Sequence, residues 1–556
     1  MFSWLGQSHR QLLPEGVGGS IEANASSKRG FSIKGDGVPL TPNSDNKSAV
    51  MVLQNGRVPR ADTRHRPRES HERSFVLGLL ERFYKTAMGL VLTLWWLPIF
   101  VIVTSRAARR ALLAIAVINI SFQVEKHFFL REDAANLGSL GGLQVSLTNI
   151  ALTLLCVAWV IGAITSPPTL LPTQRTKTFV LIPASLLLMF YVISLFVAGD
   201  VRLALFQVCS VGVFFCLFLY VAETVNTRGD VLFVVRALLV GSIIQSCLMF
   251  AQARGLVGEI QFYFIRTQAG TFRDGRVIGT LGSPNMAAAY LAMMMLLALG
   301  IILGNARRAD KCLASIGFVF AVIALIFTES RGGWTSLLLG LVTMMIFGGR
   351  RVASRIAGGI VVLIVLLAIP LKDVIVKRLS DDDNGSAVSR IALSQIALLM
   401  IEDHPISGVG ANNYALFMTP YAARSGRIGE FRYTVHNTYF LTCAEIGIGG
   451  LIALVWLLIS IVRQGIRCSR FCDPLCGPLA LGCAAAVVGF MFQLGVDIFR
   501  TGSAMDLMWL FGGLVTAMSR ISLDRSRVPM YNPLIGRKPI EYDFERLHPV
   551  AEVGRS

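Results

Sequence analysis

The sequence predicts an all-α polytopic membrane protein of about 12 transmembrane helices with one long extracytoplasmic loop. Three observations predict it. Of 556 residues, 54% are hydrophobic and 15% charged, and the mean hydropathy is +0.61, far too apolar for a soluble globular chain of this length. Apolar windows long enough to cross a bilayer core of about 30 Å, which takes roughly 20 helical residues, recur from about residue 87 to residue 519. The alternation of barrel strands is absent from them, so the spans are helices.

Taken in order, the chain opens with "MFSWLGQSHRQLLPEG", which lacks the apolar core of a cleavable signal. Gly, Ser, Asn and Arg dominate up to about residue 73, the composition of a disordered tail. "RVPRADTRHRPRESHERS" lies beside the first apolar stretch, where a basic run meets anionic lipid or marks the cytoplasmic side rather than nucleic acid. Tails and short loops hold most of the Arg and Lys, which accounts for the net charge of +18.

Two apolar stretches, "AMGLVLTLWWLPIFVIV" and "ALLAIAVINISF", flank a basic "SRAARR". Counting both as crossings would put the basic tail outside, against the positive-inside rule, so one of them reads as interfacial or re-entrant. Spans then recur near 145–164, 178–198, 203–222, 231–252, 286–304, 312–328, 331–348, 354–371, 436–462, 478–497 and 503–519. The loops "TQRTK", "NARRADK", "GGRRVASR" and "RQGIRCSR" and the tail "SRISLDRSR" carry the basic excess of cytoplasmic segments and alternate correctly. That leaves 253–285 and 372–435 outside. The resulting organisation is a basic cytoplasmic tail over 1–80, an integral-membrane domain over 81–520 and a cytoplasmic tail over 521–556.

The ten cysteines are scattered, and Cys156, Cys209, Cys216 and Cys247 fall inside spans as small apolar residues. Cys468, Cys472, Cys476 and Cys483 match no common zinc spacing, and Asp473-Pro474 interrupts them. "SDDDNGS" reads as a solvated turn rather than a cation loop, so no metal is expected.

Polar residues inside apolar sequence carry the functional signal. "TESRGGWTSLLLG" places Glu329 and Arg331 at the outer end of a span, and the same level receives Arg276 and Asn285 from one segment and His436 from another. An intramembrane charge costs about 2.5–3.5 kcal/mol, so it is paired or lines a watery cavity. Arg331 therefore needs an anion. One reading is structural: Glu329 or Asp497 is that anion, and Gly332-Gly333 lets helices approach. The other is that Arg331 and Arg276 bind phosphate oxygens, which a planar guanidinium does bidentately. His436 is either an interfacial residue bonded to Asn437 or a carbonyl, or a general base, for which an unperturbed imidazole pKa near 6.5 suits neutral pH. Arg390, Arg432, Asn437 and Glu329 are the candidate substrate contacts, and His404 is a loop-packing residue. "HPISGVGANNY" is glycine-punctuated and is expected to re-enter toward the site.

"TESRGGW", "RVIGTLGSPN", "SRIALSQIALLMIEDHPISGVGANNY" and "VHNTYFLTCAEIGIGGLIAL" resemble, in order and spacing, the characteristic segments of the O-antigen ligase and O-antigen or exopolysaccharide polymerase superfamily. The resemblance covers about residues 140–520. It implies a glycosyltransferase C-like membrane enzyme of the bacterial inner membrane, with its site facing the periplasm. The implied donor is an undecaprenyl-diphosphate-linked oligosaccharide, used with inversion and without metal or other cofactor. Carried over by motif, Arg331 and Arg276 hold the diphosphate and His436 activates the acceptor hydroxyl. A chain-length regulator and a flippase of the same pathway are the implied partners, alongside the lipid bilayer. The expected activity is polymerisation of repeats, with ligation to lipid A core or a protein as the alternative. A lipid-linked glycan flippase is a more distant one, and the absence of internal repeats and the one-sided clustering of polar groups count against it. A purely structural scaffold leaves the charges unexplained.

Overall fold

The computed structural model describes residues 101–102, 105–165, 179–257, 276–368, 386–426, 433–470 and 473–527. The 1–80 tail, the start of the first apolar stretch, "SDDDNGS" up to Gly385, Cys472, Arg432 and the chain after 527 lie outside these residues.

Apart from the single turn Glu132–Ala135, the described α-helices are α1 (Arg106–Ile120), α2 (Leu147–Thr165), α3 (Leu181–Ile193), α4 (Val201–Thr224), α5 (Arg228–Ala253), α6 (Pro284–Leu303) and α7 (Arg308–Phe327). They continue with α8 (Arg331–Ala368), α9 (Ser386–Asp403), α10 (Tyr414–Arg424), α11 (Thr438–Arg470), α12 (Cys476–Val496) and α13 (Ser503–Arg527). Among the described residues, eight helices are long and apolar enough to span a bilayer: α2, α4, α5, α6, α7, α8, α11 and α12. This is an all-α polytopic membrane protein. The two spans expected at 331–348 and 354–371 form α8, which breaks at Gly349. α6 and α12 are the most buried spans and pack against each other.

Caps follow the chemistry of the chain. Asp200 and Thr227 cap α4 and α5, the latter in a reciprocal box with Asp230, and Ser283 caps α6 ahead of Pro284. The first glycine expected to admit a close helix does so: a Cβ on Gly332 would lie 3.2 Å from Gln493 Oε1 of α12.

α1 resolves half of the ambiguity at the start. Arg110, near its beginning, pairs with Asp230 at the start of α5, while Ile120, its last residue, accepts a hydrogen bond from Ser503 at the start of α13. α5 and α13 begin at opposite ends of the bundle, so α1 runs from one end to the other. After α1 comes an antiparallel hairpin of β1 (Glu125–Phe128) and β2 (Leu143–Ser146), which the sequence pattern does not announce. Strands of four residues are too short to register as alternation.

The loop expected over 372–435 is in part helical. Ile396, Ala397 and Met400 of α9 pack with Tyr414 and Met418 of α10 and with Val435 and Leu441. Between these two helices, the segment from Pro405 to Asn413 docks into a break in α11. Ile446 and Gly447 leave the helical conformation, and the freed carbonyls of Ala444 and Glu445 accept from Val409 N and Gly410 N, each at 2.9 Å. Ile448 N in turn donates to Pro405 O at 2.9 Å. Gly447 has φ +75°, and a side chain there would run into the Ile406 carbonyl. The glycine-rich segment packs at the α11 break, where it replaces lost helical hydrogen bonds. His404 lies just after α9, with its backbone bonded to Met400 and Gly408.

Candidate active site

The connection from α7 to α8 is one tight turn. Thr328 closes α7, Glu329 takes the left-handed conformation at φ +51°, and Arg331 opens α8. A non-glycine residue held there is strained, and such strain collects at functional sites. Ser330 Oγ donates to Asn285 Oδ1 at 2.8 Å. Arg276, which precedes α6, donates from Nε to Thr328 O at 2.9 Å and from Nη2 to Asn285 Oδ1 at 3.4 Å. Asn285 is thus the acceptor on which the turn and Arg276 converge.

The other side of Asn285 reaches the histidine. Its Nδ2 donates to Asp497 Oδ2 at 2.6 Å, and Asp497 Oδ1 lies 3.0 Å from His436 Nδ1. Asp497 terminates α12, and Oδ1 also accepts from Ile498 N at 2.8 Å. The His436 side chain is 32% exposed and that of Asp497 is 11% exposed, so the imidazole opens to solvent while its carboxylate is shielded. Burial pushes the Asp497 carboxyl up, but its bonds to His436, Ile498 and Asn285 outweigh that and hold it below the usual carboxylate range. Tyr433 stacks on the imidazole at 5.4 Å between ring centroids and 17° between planes. Burial, and then the Asp497 charge, push its phenol up.

Two of the expected site residues meet in this network: Arg276 and His436 are joined through Asn285 and Asp497, and Arg331 lies beside it in the chain. Arg331 sits between Ser330, which is bonded to Asn285, and Gly332, which packs by Gln493 and Val496 just before Asp497. Asn437 holds backbone in place: its Oδ1 accepts from Tyr439 N and Phe440 N at the start of α11, and its Nδ2 donates to Gly495 O. Arg390 lies on α9, and among the described residues no hydrogen bond or ion pair joins its side chain to this network. Arg432 falls outside the described residues.

Residues 316–455 match the family model described as O-antigen ligase. This segment belongs to the O-antigen ligase and polymerase superfamily. It contains Arg331, the α11 break and His436, whereas Arg276, Asn285 and Asp497 lie outside it. The ligase-type segment therefore completes its polar network with residues from α6 and the end of α12. No curated protein matches the chain significantly.

Sequence reasoning did not assign Asp497 to His436, nor did it find Ser330. Asp497 is the lone acid between Asp473 and Asp506, and an acid at the end of an apolar span is a signal in itself. A second buried pair was equally hidden. Arg500 Nη1 and Nη2 each donate at 2.7 Å to the two carboxylate oxygens of Glu445, beside the α11 break.

Proposed function

We propose that the protein is a glycosyltransferase of the bacterial cytoplasmic membrane that moves glycan from an undecaprenyl-diphosphate carrier to an acceptor hydroxyl, extending exopolysaccharide or O-antigen repeats. The family match supports the coarser part of this reading, membrane glycosyltransfer of the ligase or polymerase type. One observation carries the finer part: a continuous hydrogen-bonded path leads from a partly exposed histidine through Asp497 and Asn285 to the Arg276 guanidinium. A base and a cation are held at one site.

In this reading His436 takes the acceptor proton on Nε2. Asp497 fixes the ring through Nδ1 and stabilises the imidazolium that forms, the division of labour in other carboxylate–histidine pairs. The acceptor oxygen bonds to the anomeric carbon as the bond from that carbon to the diphosphate oxygen breaks, and the electron pair leaves on the diphosphate. Attack from the face opposite the leaving group inverts the centre. Arg276 and Arg331 meet the developing charge with oriented N–H donors, the service that needs no metal. Tyr433, stacked on the imidazole, limits its rotation.

The description of the matching family favours ligation as the second reading. Purified protein supplied with lipid-linked glycan separates the two. Lengthening of lipid-linked chains marks a polymerase, and transfer to lipid A core marks a ligase. No turnover with either acceptor would refute glycosyltransfer itself. Sidedness has its own test: cysteines placed at the exposed positions Glu402 and Ile406 label with an impermeant reagent from outside, and those in "GRRVASR" do not. The reverse pattern would refute a periplasmic site.

A further inference from the structure

Beside the loop that carries Asp497 lies a second polar cleft, framed by the β1–β2 hairpin, α1, α4 and α13. Asn119, Gln123, Glu125, Gln144, Phe214 and Asp506 line it. It gives water-sized groups about 30 Å³, room for about two waters or for two hydroxyls of one ring. Two features separate it from ordinary hydrophilic packing. In a chain of net charge +18, its lining holds two carboxyl groups and no basic side chain. The Glu125 carboxylate has only long contacts, 3.3 Å to Gln144 Nε2 and 3.3 Å to His127 Nε2, and no hydrogen bond to the Asp506 carboxyl group occurs among the described residues.

Gly502 measures how near this cleft comes to the transfer centre. A Cβ there would fall 2.7 Å from Gln123 Nε2, which lines the cleft, and 2.6 Å from the terminal methyl of Met286, which follows Asn285 in the chain. Thr501, also in the lining, is four residues beyond Asp497 and thus at most ~14 Å from it.

We propose that this cleft is a subsite for a non-acidic sugar ring of the glycan. Its chemistry fits. Carboxyl groups and the carboxamides of Asn119, Gln123 and Gln144 accept from and donate to adjacent ring hydroxyls. A uronic acid or phosphate would be repelled by the Glu125 carboxylate with no cation in the lining to compensate. The subsite's place in transfer rests on the reading given above, whereas the binding of sugar does not.

The test is therefore a binding experiment. Saturation-transfer NMR titrations on the full chain in detergent, made in the His436→Ala background so that turnover cannot interfere, use glucose, glucosamine and glucuronate as probes. Glucose and glucosamine are expected to bind, with glucuronate at least about tenfold weaker; Glu125→Gln should weaken the first two about tenfold by removing a charged hydrogen-bond acceptor, and Asp506→Ala should weaken them by removing a hydrogen-bonding carboxyl group. Gln144→Ala, on β2 rather than beside the start of α13, should weaken them as well and guards against misfolding of the carboxyl variants. Equal binding of glucuronate and glucose, unchanged binding by the variants, or binding of calcium alone at these carboxyl groups would overturn the proposal. A chain that binds sugar here but transfers no lipid-linked glycan keeps the subsite and refutes the transfer reading; one that transfers glycan but binds no sugar here refutes the subsite alone.

Discussion

At one end of the bundle, aspartates that are largely buried meet arginines that reach into solvent. Arg228 pairs with Asp473 and Arg236 with Asp310, the arginine side chains being 27% and 43% exposed and the aspartates 3% and 6%. Arg110 pairs with Asp230 still further out. At the other end the basic partner is withdrawn as well: Arg500 and Glu445 are both buried, at 8% and 3%, and the exposed member of the Asp497 network is a histidine. Charge at the first end ties neighbouring helices together where water still solvates one partner. At the second, the Arg500–Glu445 pair is taken out of water beside the α11 break, and the more accessible member of the Asp497 network is a group that can exchange a proton. The difference separates charges that orient and brace the bundle from charges that build a site.

The largest effect expected of this comparison is on stability. Arg500→Met leaves Glu445 buried without its partner, which should cost about 3–5 kcal/mol. Thermal unfolding of the purified protein reads it, and the double variant Arg500→Met with Glu445→Leu should recover most of the loss. A single variant as stable as the wild type would place this pair with the solvated ones. Next comes Arg331→Lys, which keeps the charge but loses the planar fork. Transfer should fall roughly 100- to 1,000-fold, about 2.7–4 kcal/mol, by analogy with removing an oriented oxyanion donor. Turnover close to wild type at normal membrane abundance would return Arg331 to a structural role.

Smaller effects belong to the first end. Burial pushes the Asp473 carboxyl up, but Arg228 and the backbone N–H groups of Cys476 and Leu475 hold it below the usual range. A folded value below the unfolded one, about 3.9, means that its stabilisation is complete above that pH and is lost as pH falls through the lowered value. Below about pH 4 the wild type should therefore lose melting temperature faster than Asp473→Asn, and parallel curves would contradict this. Smallest of all, Arg110→Ala should cost about 0.2–1 kcal/mol, because its partnership with Asp230 is exposed and screened.

Some layers of this molecule are legible in the sequence and others are hidden, for physical reasons. Long apolar windows announce spanning helices by themselves, which is why α4 to α8, α11 and α12 are readable. The convergence of Arg276, Asn285, Arg331 and His436 follows from topology, since each lies at the same end of its segment. Pairing does not, because depth within a loop decides it. Asp497 is a candidate anion for Arg331 by sequence, and its position at the end of α12 sets it against His436. Glu445 and Arg500 meet because the Pro405–Asn413 segment docks where α11 breaks, a long-range event that no local pattern records. Asn412 shows the same limit: its side chain bonds Leu140 and Leu203, more than two hundred residues away.

The central claim is that His436 and Asp497 work as one unit, and a double-mutant cycle on transfer from purified lipid-linked glycan tests it most directly. His436→Ala should lower the rate by about 10²- to 10⁴-fold, the usual worth of a general base. Asp497→Ala should also be impaired, and the double variant should be no slower than His436→Ala alone, because residues acting as a unit are grossly non-additive. If instead the double variant shows the product of the two single losses, the residues act independently and the proposed base has lost the partner on which its role depends.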